Sequence, residues 1–242
     1  MPRLMTDHAD TPVTTPSILH DAGEWLVVDK PALWHSAAQS QSDGGPSVAD
    51  WLVARDAALA ALADAGLVHR LDRSTSGCLL VARDPENQDA LREALSVASG
   101  PWASRKTYLA LVTPGLDERG SFDLHFAGRH KSSARVTAKP FGKANERGRC
   151  EWRCRRRSRN GAASSGALAF DLLEIDLVGP GRRHQIRSGF ASLGHPLAGD
   201  ALYGGRPIQG ELPADCARLH ALRLRVRGID VESPSPAWAV TR

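Results

Sequence analysis

Apolar and polar residues alternate along this chain with periods that change at sharp boundaries, and those changes predict its elements. Residues 25–28 are an apolar run stopped by Lys30-Pro31, which predicts a strand. Residues 39–46 are polar and glycine-containing and predict a loop. Over 48–62, Val48, Leu52, Leu59 and Leu62 recur near one face, which predicts a helix. The run 78–82 is continuously apolar, as in a buried strand. Asp84-Pro85 predicts a helix start, with Asp as cap, Pro at the first helical position and Glu86 in the first turn. Ala90, Leu91, Ala94, Leu95 and Ala98 then share a face, and Gly100-Pro101 ends the helix.

Residues 107–112 predict a strand closed by Pro114-Gly115. Cys150, Trp152 and Cys154 alternate with Glu151, Arg153 and Arg155, a half-buried strand with a charged outer face. Residues 160–166 are small and polar and predict a connection, with 168–177 as the returning strand of a hairpin. Gly179-Pro180-Gly181 is a hard turn before a short helix that buries Ile186, Phe190 and Leu193 and stops at Gly194. Arg183 and Arg187, four apart, are expected to share a face of that helix. Residues 221–226 predict a late strand with Leu222, Leu224 and Val226 alternating against Arg223 and Arg225. Strands and helices do not alternate regularly. This argues against a doubly wound parallel sheet and for an α+β fold with a central mixed, mainly antiparallel sheet and flanking helices. Residues 1–16 predict a loose tail, which leaves 17–242 as one domain.

Charge changes this picture. The chain carries a net +4, yet residues 128–159 hold twelve Lys or Arg against two acids, Glu146 and Glu151. Such a concentration suits a polyphosphate partner, which the 128–166 hairpin is expected to grip by its backbone through residues such as Arg153 and Arg155. No apolar run is long enough to span a membrane, and no basic region followed by an apolar stretch opens the chain, which predicts a cytoplasmic protein. Cys78 reads as a small core residue. Cys150 and Cys154 have no second Cys or His pair at zinc-site spacing, so neither a metal site nor a structural disulfide is expected.

The candidate chemistry lies in residues 67–77, where one carboxylate, Asp72, stands among His69, Arg70 and Arg73 just before a buried strand. A nearby cation favours the ionised form of an acid, and a loop beside a rigid strand is where working residues tend to sit. Four further blocks accompany it: residues 18–32 with Lys30-Pro31-Ala32; Lys106-Thr107-Tyr108; Arg182-Arg183-His184-Gln185-Ile186-Arg187 leading into Gly199-Asp200 and Tyr203-Gly204; and Leu219-His220-Ala221. In this order they resemble the RluA family of RNA pseudouridine synthases, over residues 18–226.

The resemblance implies a single catalytic domain on a central sheet, of the kind that lacks the N-terminal S4 module of some relatives. It implies isomerisation of uridine to pseudouridine in structured tRNA or rRNA by a monomer, with no cofactor and no metal. Asp72 would be the catalytic carboxylate, as nucleophile on the ribose or as base at C2′. Arg187 would pair with it through a planar fork. Tyr108 would stack on uracil or take part in late proton transfer. Arg70 would fill the gap left by an extruded base, while His69, Arg73 and Lys106 would contact phosphate or support the loop. Gly199-Asp200 and Tyr203-Gly204 read as turn residues, and His184, His195 and His220 as structural or supporting groups. The chain departs from the family at Leu33, where a glycine is usual, and at Gly189, where a histidine is common. Two other readings stand beside this one. A non-catalytic RNA-binding protein would lack the acid, the tyrosine or the arginine, and all three are present. A glycoside hydrolase needs a second carboxylate, for which no partner stands out.

Overall fold

The computed structural model describes residues 14–37, 44–100, 103–128, 134–158 and 170–240. Residues 1–13 of the predicted tail, most of the 39–46 loop and the 160–166 connection therefore lie outside the described residues. Ten strands occur among them: β1 (Ser17–Asp21), β2 (Trp25–Lys30), β3 (Ser76–Ala82), β4 (Arg105–Val112), β5 (Arg119–Ala127), β6 (Thr137–Lys139), β7 (Arg147–Arg156), β8 (Asp171–Val178), β9 (Leu219–Val226) and β10 (Ile229–Glu232). They form one sheet in the order β1-β2-β3-β9-β4-β8-β7-β5-β6, with β10 also paired to β9. Helices α1 (Val48–Arg55), α2 (Pro85–Ser96), α3 (Gln185–Ser192) and α4 (Ala237–Val240) flank it. The expected α+β architecture is what forms.

One pairing is parallel. β3 meets β9 only at Ser76↔His220 and Gly77↔Ala221, and the strand neighbours on either side of that seam are antiparallel. The seam is close because Gly77 allows it. Its φ is +104°, and a Cβ there would sit 2.2 Å from the Ala221 carbonyl oxygen. Gly77→Ala should therefore cost about 2–3 kcal/mol, read as a lower urea midpoint at unchanged slope.

The predicted 48–62 helix is shorter than expected. α1 ends at Arg55 because Asp56 turns extended (φ −143°) and accepts the Ala58 N–H at 3.1 Å. An aspartate that caps the following turn competes with helix continuation, and 3₁₀ turns occupy the rest. The α2 cap is as predicted, with Asp84 accepting the Asn87 N–H at 2.8 Å and Pro85 opening the helix. α3 begins only at Gln185, after His184 in left-handed backbone (φ 54°). Arg183 thus precedes the helix, and it does not share a helical face with Arg187 as expected. Strand β5 is not among the expected elements, although Phe122, Leu124 and Phe126 alternate with Asp123 and His125 in a strand period of two.

β7 and β8 form the expected hairpin, but its outer arginines are not free. Arg147 pairs with Asp123, Arg149 with Glu151, and Arg157 with Asp171. Arg153 and Arg155 both pair with Glu174, itself buried. Three of these four acids, Asp123, Asp171 and Glu174, come from neighbouring strands outside the basic segment.

Candidate active site

Asp72 lies in the loop that enters the β3–β9 seam, and segment 30–36 clamps the backbone on both sides of it. Ser36 Oγ accepts the Leu71 N–H and donates to the Leu71 carbonyl, each at 2.9 Å. The Leu33 N–H donates to the Arg73 carbonyl at 2.7 Å. The ammonium of Lys30, wholly buried, donates to the carbonyls of Trp34 (2.7 Å), Pro31 (2.9 Å) and Arg73 (3.3 Å). Burial brings this lysine down to about 7, against the pull of the Asp72 charge. Leu33 keeps the left-handed backbone (φ 71°) that suits the family glycine, at the steric cost of a Cβ.

The Asp72 side chain is 25 % exposed and faces a cleft of about 1040 Å³, roomy enough for a nucleotide. Across 115 residues of sequence, Arg187 Nη1 donates to Asp72 Oδ2 at 3.0 Å. The other edge of the same guanidinium holds Asp200, with Nε to Oδ2 at 2.7 Å and Nη2 to Oδ1 at 2.8 Å. Asp200 is only 1 % exposed. Arg187 also lies 5.3 Å over the Tyr203 ring. Burial opposes the Arg187 charge, but the bonds to Asp200 and the nearby Asp72 hold its pKa above the ordinary guanidinium value. The Tyr203 hydroxyl accepts the Val136 N–H at 2.9 Å and lies 2.8 Å from His184 Nδ1. His184 Nε2 is 3.7 Å from Asp72 Oδ1. Burial lowers the His184 pKa, with Asp72 pulling the other way.

Tyr108 pairs with Ala221 of β9 on one side and Ile175 of β8 on the other, which brings it beside the seam. Burial, then the Asp72 charge, raises its pKa, so the phenol keeps its proton at neutral pH. Lys106 stands two residues earlier on the same face of β4 and lines the same cleft. Burial and the adjacent Arg182 bring it down to about 8. His69 Nε2 accepts the Leu80 N–H at 3.1 Å, and burial with the Lys106 charge pushes its imidazole to about 3. It is a neutral wall group at neutral pH. Arg70 and Arg73 are exposed along the cleft.

Arg153 and Arg155 are elsewhere. Arg153 is opposite Glu174, whereas Tyr108 is opposite Ile175, and successive strand residues point to opposite faces. The structure therefore puts this arginine pair on the far face of the sheet from Asp72, apart from the other candidate site residues. The turn reading of Asp200 and Tyr203 understated both, because their roles depend on a side chain thirteen and sixteen residues earlier. The signal available was an aspartate within an otherwise apolar and glycine-rich block. Gly189 also has a local reason: a Cβ there would fall 2.4 Å from the Phe122 ring, which closes the space a histidine would need.

His220, 2 % exposed, meets Ser76 Oγ through Nδ1 at 2.9 Å, and burial pushes it down to about 4. The folded pKa is below the unfolded value near 6.5, so the unfolded chain binds the extra proton. The neutral imidazole's contribution is complete above about pH 6.5 and is lost as pH falls toward 4, by up to about 1.4 kcal/mol per pH unit. Denaturant melts of the wild type and His220→Gln across that window should show the shallower slope in the variant.

All four cysteines are free thiols, and the described residues contain no group of three metal-ligating side chains. No described helix is long and apolar enough to cross a membrane.

Comparison with known proteins bears on this geometry. A human protein, RNA pseudouridylate synthase domain containing 1, superposes with a TM-score of 0.64 at 22 % identity, covering 93 % of this chain and 85 % of its own. That likeness concerns the fold. In sequence, the ribosomal large subunit pseudouridine synthase D of Xylella fastidiosa is 35 % identical over 207 residues, 85 % of this chain and 56 % of that protein. The chain thus spans little more than half the length of that relative. An uncharacterised RNA pseudouridine synthase of Zymomonas mobilis is 30 % identical over 232 residues, covering 93 % of this chain and 96 % of its own. The RNA pseudouridylate synthase family model matches residues 24–192, which contain Asp72, Tyr108 and Arg187, and the chain belongs to that family, with RluA-like relatives.

Proposed function

We propose that this protein isomerises uridine to pseudouridine within RNA, with Asp72 as the catalytic carboxylate. The observation that carries the reading is the Asp72–Arg187 pair at 3.0 Å in a nucleotide-sized cleft beside Tyr108. The reaction breaks the N1–C1′ bond, turns the uracil and joins C5 to C1′; the C5 hydrogen is lost to solvent and N1 takes up a proton, so nothing is oxidised. A carboxylate can attack the ribose or remove a proton at C2′, and both need an acid that reaches the cleft while its charge is matched. Asp72 meets that need. The protonated Tyr108 phenol suits stacking on the base and proton exchange at C5 or N1. Arg70, exposed two residues before Asp72, suits the space an everted base vacates. Large-subunit rRNA, named for the Xylella relative, is the first substrate to test, with tRNA beside it.

Because C5 loses its hydrogen, rRNA and tRNA made with 5-tritiated uridine should release tritium to water on incubation with the protein. No release from either, with the protein folded, would defeat the proposal. Within this reading Lys106 is a phosphate contact. Lys106→Gln should weaken RNA binding and reduce the slope of log affinity against log salt by about 0.7–0.9. The double change Arg153→Gln/Arg155→Gln should leave that slope unaltered, since both arginines already face Glu174 on the far side of the sheet.

A further inference from the structure

Among the phenylalanines, Phe122, Phe126 and Phe190 are buried, whereas Phe141 is 84 % exposed. A bare aromatic on a soluble surface is informative when the backbone beneath it is built to hold it there. This one is. Phe141 follows Pro140, directly after β6, which is paired to β5 through His125↔Lys139. The next residue, Gly142, packs so closely that a Cβ would lie 2.6 Å from His125 Cβ and 2.9 Å from Glu146 Oε2. Glu146 Oε2 accepts the Lys143 N–H at 3.1 Å, and the Glu146 N–H returns to the Lys143 carbonyl at 2.9 Å. The turn is ordered on both sides of the ring.

Its charge and position point to one kind of partner. Lys139 and Lys143 flank the ring, are exposed, and are two of only five lysines in the chain. Neither forms an ion pair with a described carboxylate, unlike Arg147, Arg149, Arg153, Arg155 and Arg157 nearby. Both ends of the excursion rest on the cleft rim. At one end Ala134 lines the cleft and Arg135 lies 5.4 Å over Tyr203. At the other, the Arg147 carbonyl accepts from Nε of Arg182, a cleft residue, at 2.8 Å. Phe141 is six or seven residues from each anchor, so it stands within roughly 25 Å of the rim.

We propose that Phe141 is a stacking post for an unpaired base of the RNA whose uridine enters the cleft, with Lys139 and Lys143 on the flanking phosphates. This rests on the RNA-modifying reading above. Base–aromatic stacking tolerates any base, and flanking ammonium groups keep the strand against the ring.

The test compares a fluorescently labelled adenosine 12-mer RNA with an abasic ribose-phosphate strand of the same length. Phe141→Ala should weaken the adenosine strand about tenfold and leave the abasic strand unchanged, while Phe141→Trp restores binding. Lys139→Gln/Lys143→Gln should weaken both strands and flatten the salt slope by about 1.4. Equal binding of the adenosine strand by wild type and Phe141→Ala would overturn the proposal and point to a protein partner for the ring. An equal loss with both strands would also overturn it, since the ring would then serve only the backbone path. Failure of the isomerase reading shows separately, as absent tritium release from wild-type protein.

Discussion

Asp72→Asn should reduce tritium release from 5-tritiated RNA by about 10³-fold or more while RNA affinity stays within about twofold. The amide has the volume of the acid, and its oxygen can still accept from Arg187 Nη1, so the clamp formed by Ser36, Leu33 and Lys30 has no reason to move. What disappears is the anion. An amide oxygen is too weak a nucleophile to attack C1′ and too weak a base to act at C2′, so either role is lost. Single-turnover release measured beside a gel-shift titration separates chemistry from binding. Release at the wild-type rate would remove Asp72 from the mechanism.

Arg187→Met should be costly twice. It takes the counter-ion from Asp72, and it strands Asp200, whose carboxylate is 1 % exposed and loses both hydrogen bonds to the guanidinium. Removing one member of a buried ion pair typically costs about 3–5 kcal/mol, because the remaining charge has lost its partner. Urea unfolding should show that loss, and activity should fall with it. The double variant Arg187→Met/Asp200→Asn distinguishes the two effects. It should regain part of the stability, since no unpaired buried charge remains, and none of the activity, since Asp72 still lacks its partner. Recovery of activity in the double variant would mean that Arg187 serves the fold alone.

Several elements were legible because local forces decide them. Asp84-Pro85 caps α2 whatever surrounds it, and the alternation of Cys150, Trp152 and Cys154 with charged residues specifies a two-sided strand. The 48–62 helix was misread for a related reason: apolar spacing continued past residue 55, but the Asp56 side chain bonded the next turn instead. β5 carries a strand period in Phe122, Leu124 and Phe126, but the Phe122 ring meets Trp152 and Phe190 only after the strands and α3 assemble.

By itself, then, the sequence determined the caps, the strand periods and the family blocks that single out Asp72, Tyr108 and Arg187. Each is set within a few residues or by a motif. The tertiary structure alone decided that Asp200 braces Arg187 from behind, that Tyr203 and His184 close the ring around Asp72, and that the basic run from Arg147 to Arg157 is largely matched by Asp123, Asp171 and Glu174. Coulomb attraction and hydrogen bonding depend on separation in space. Here that separation is set by strand pairing and by the Gly77–Ala221 seam, which joins segments more than a hundred residues apart.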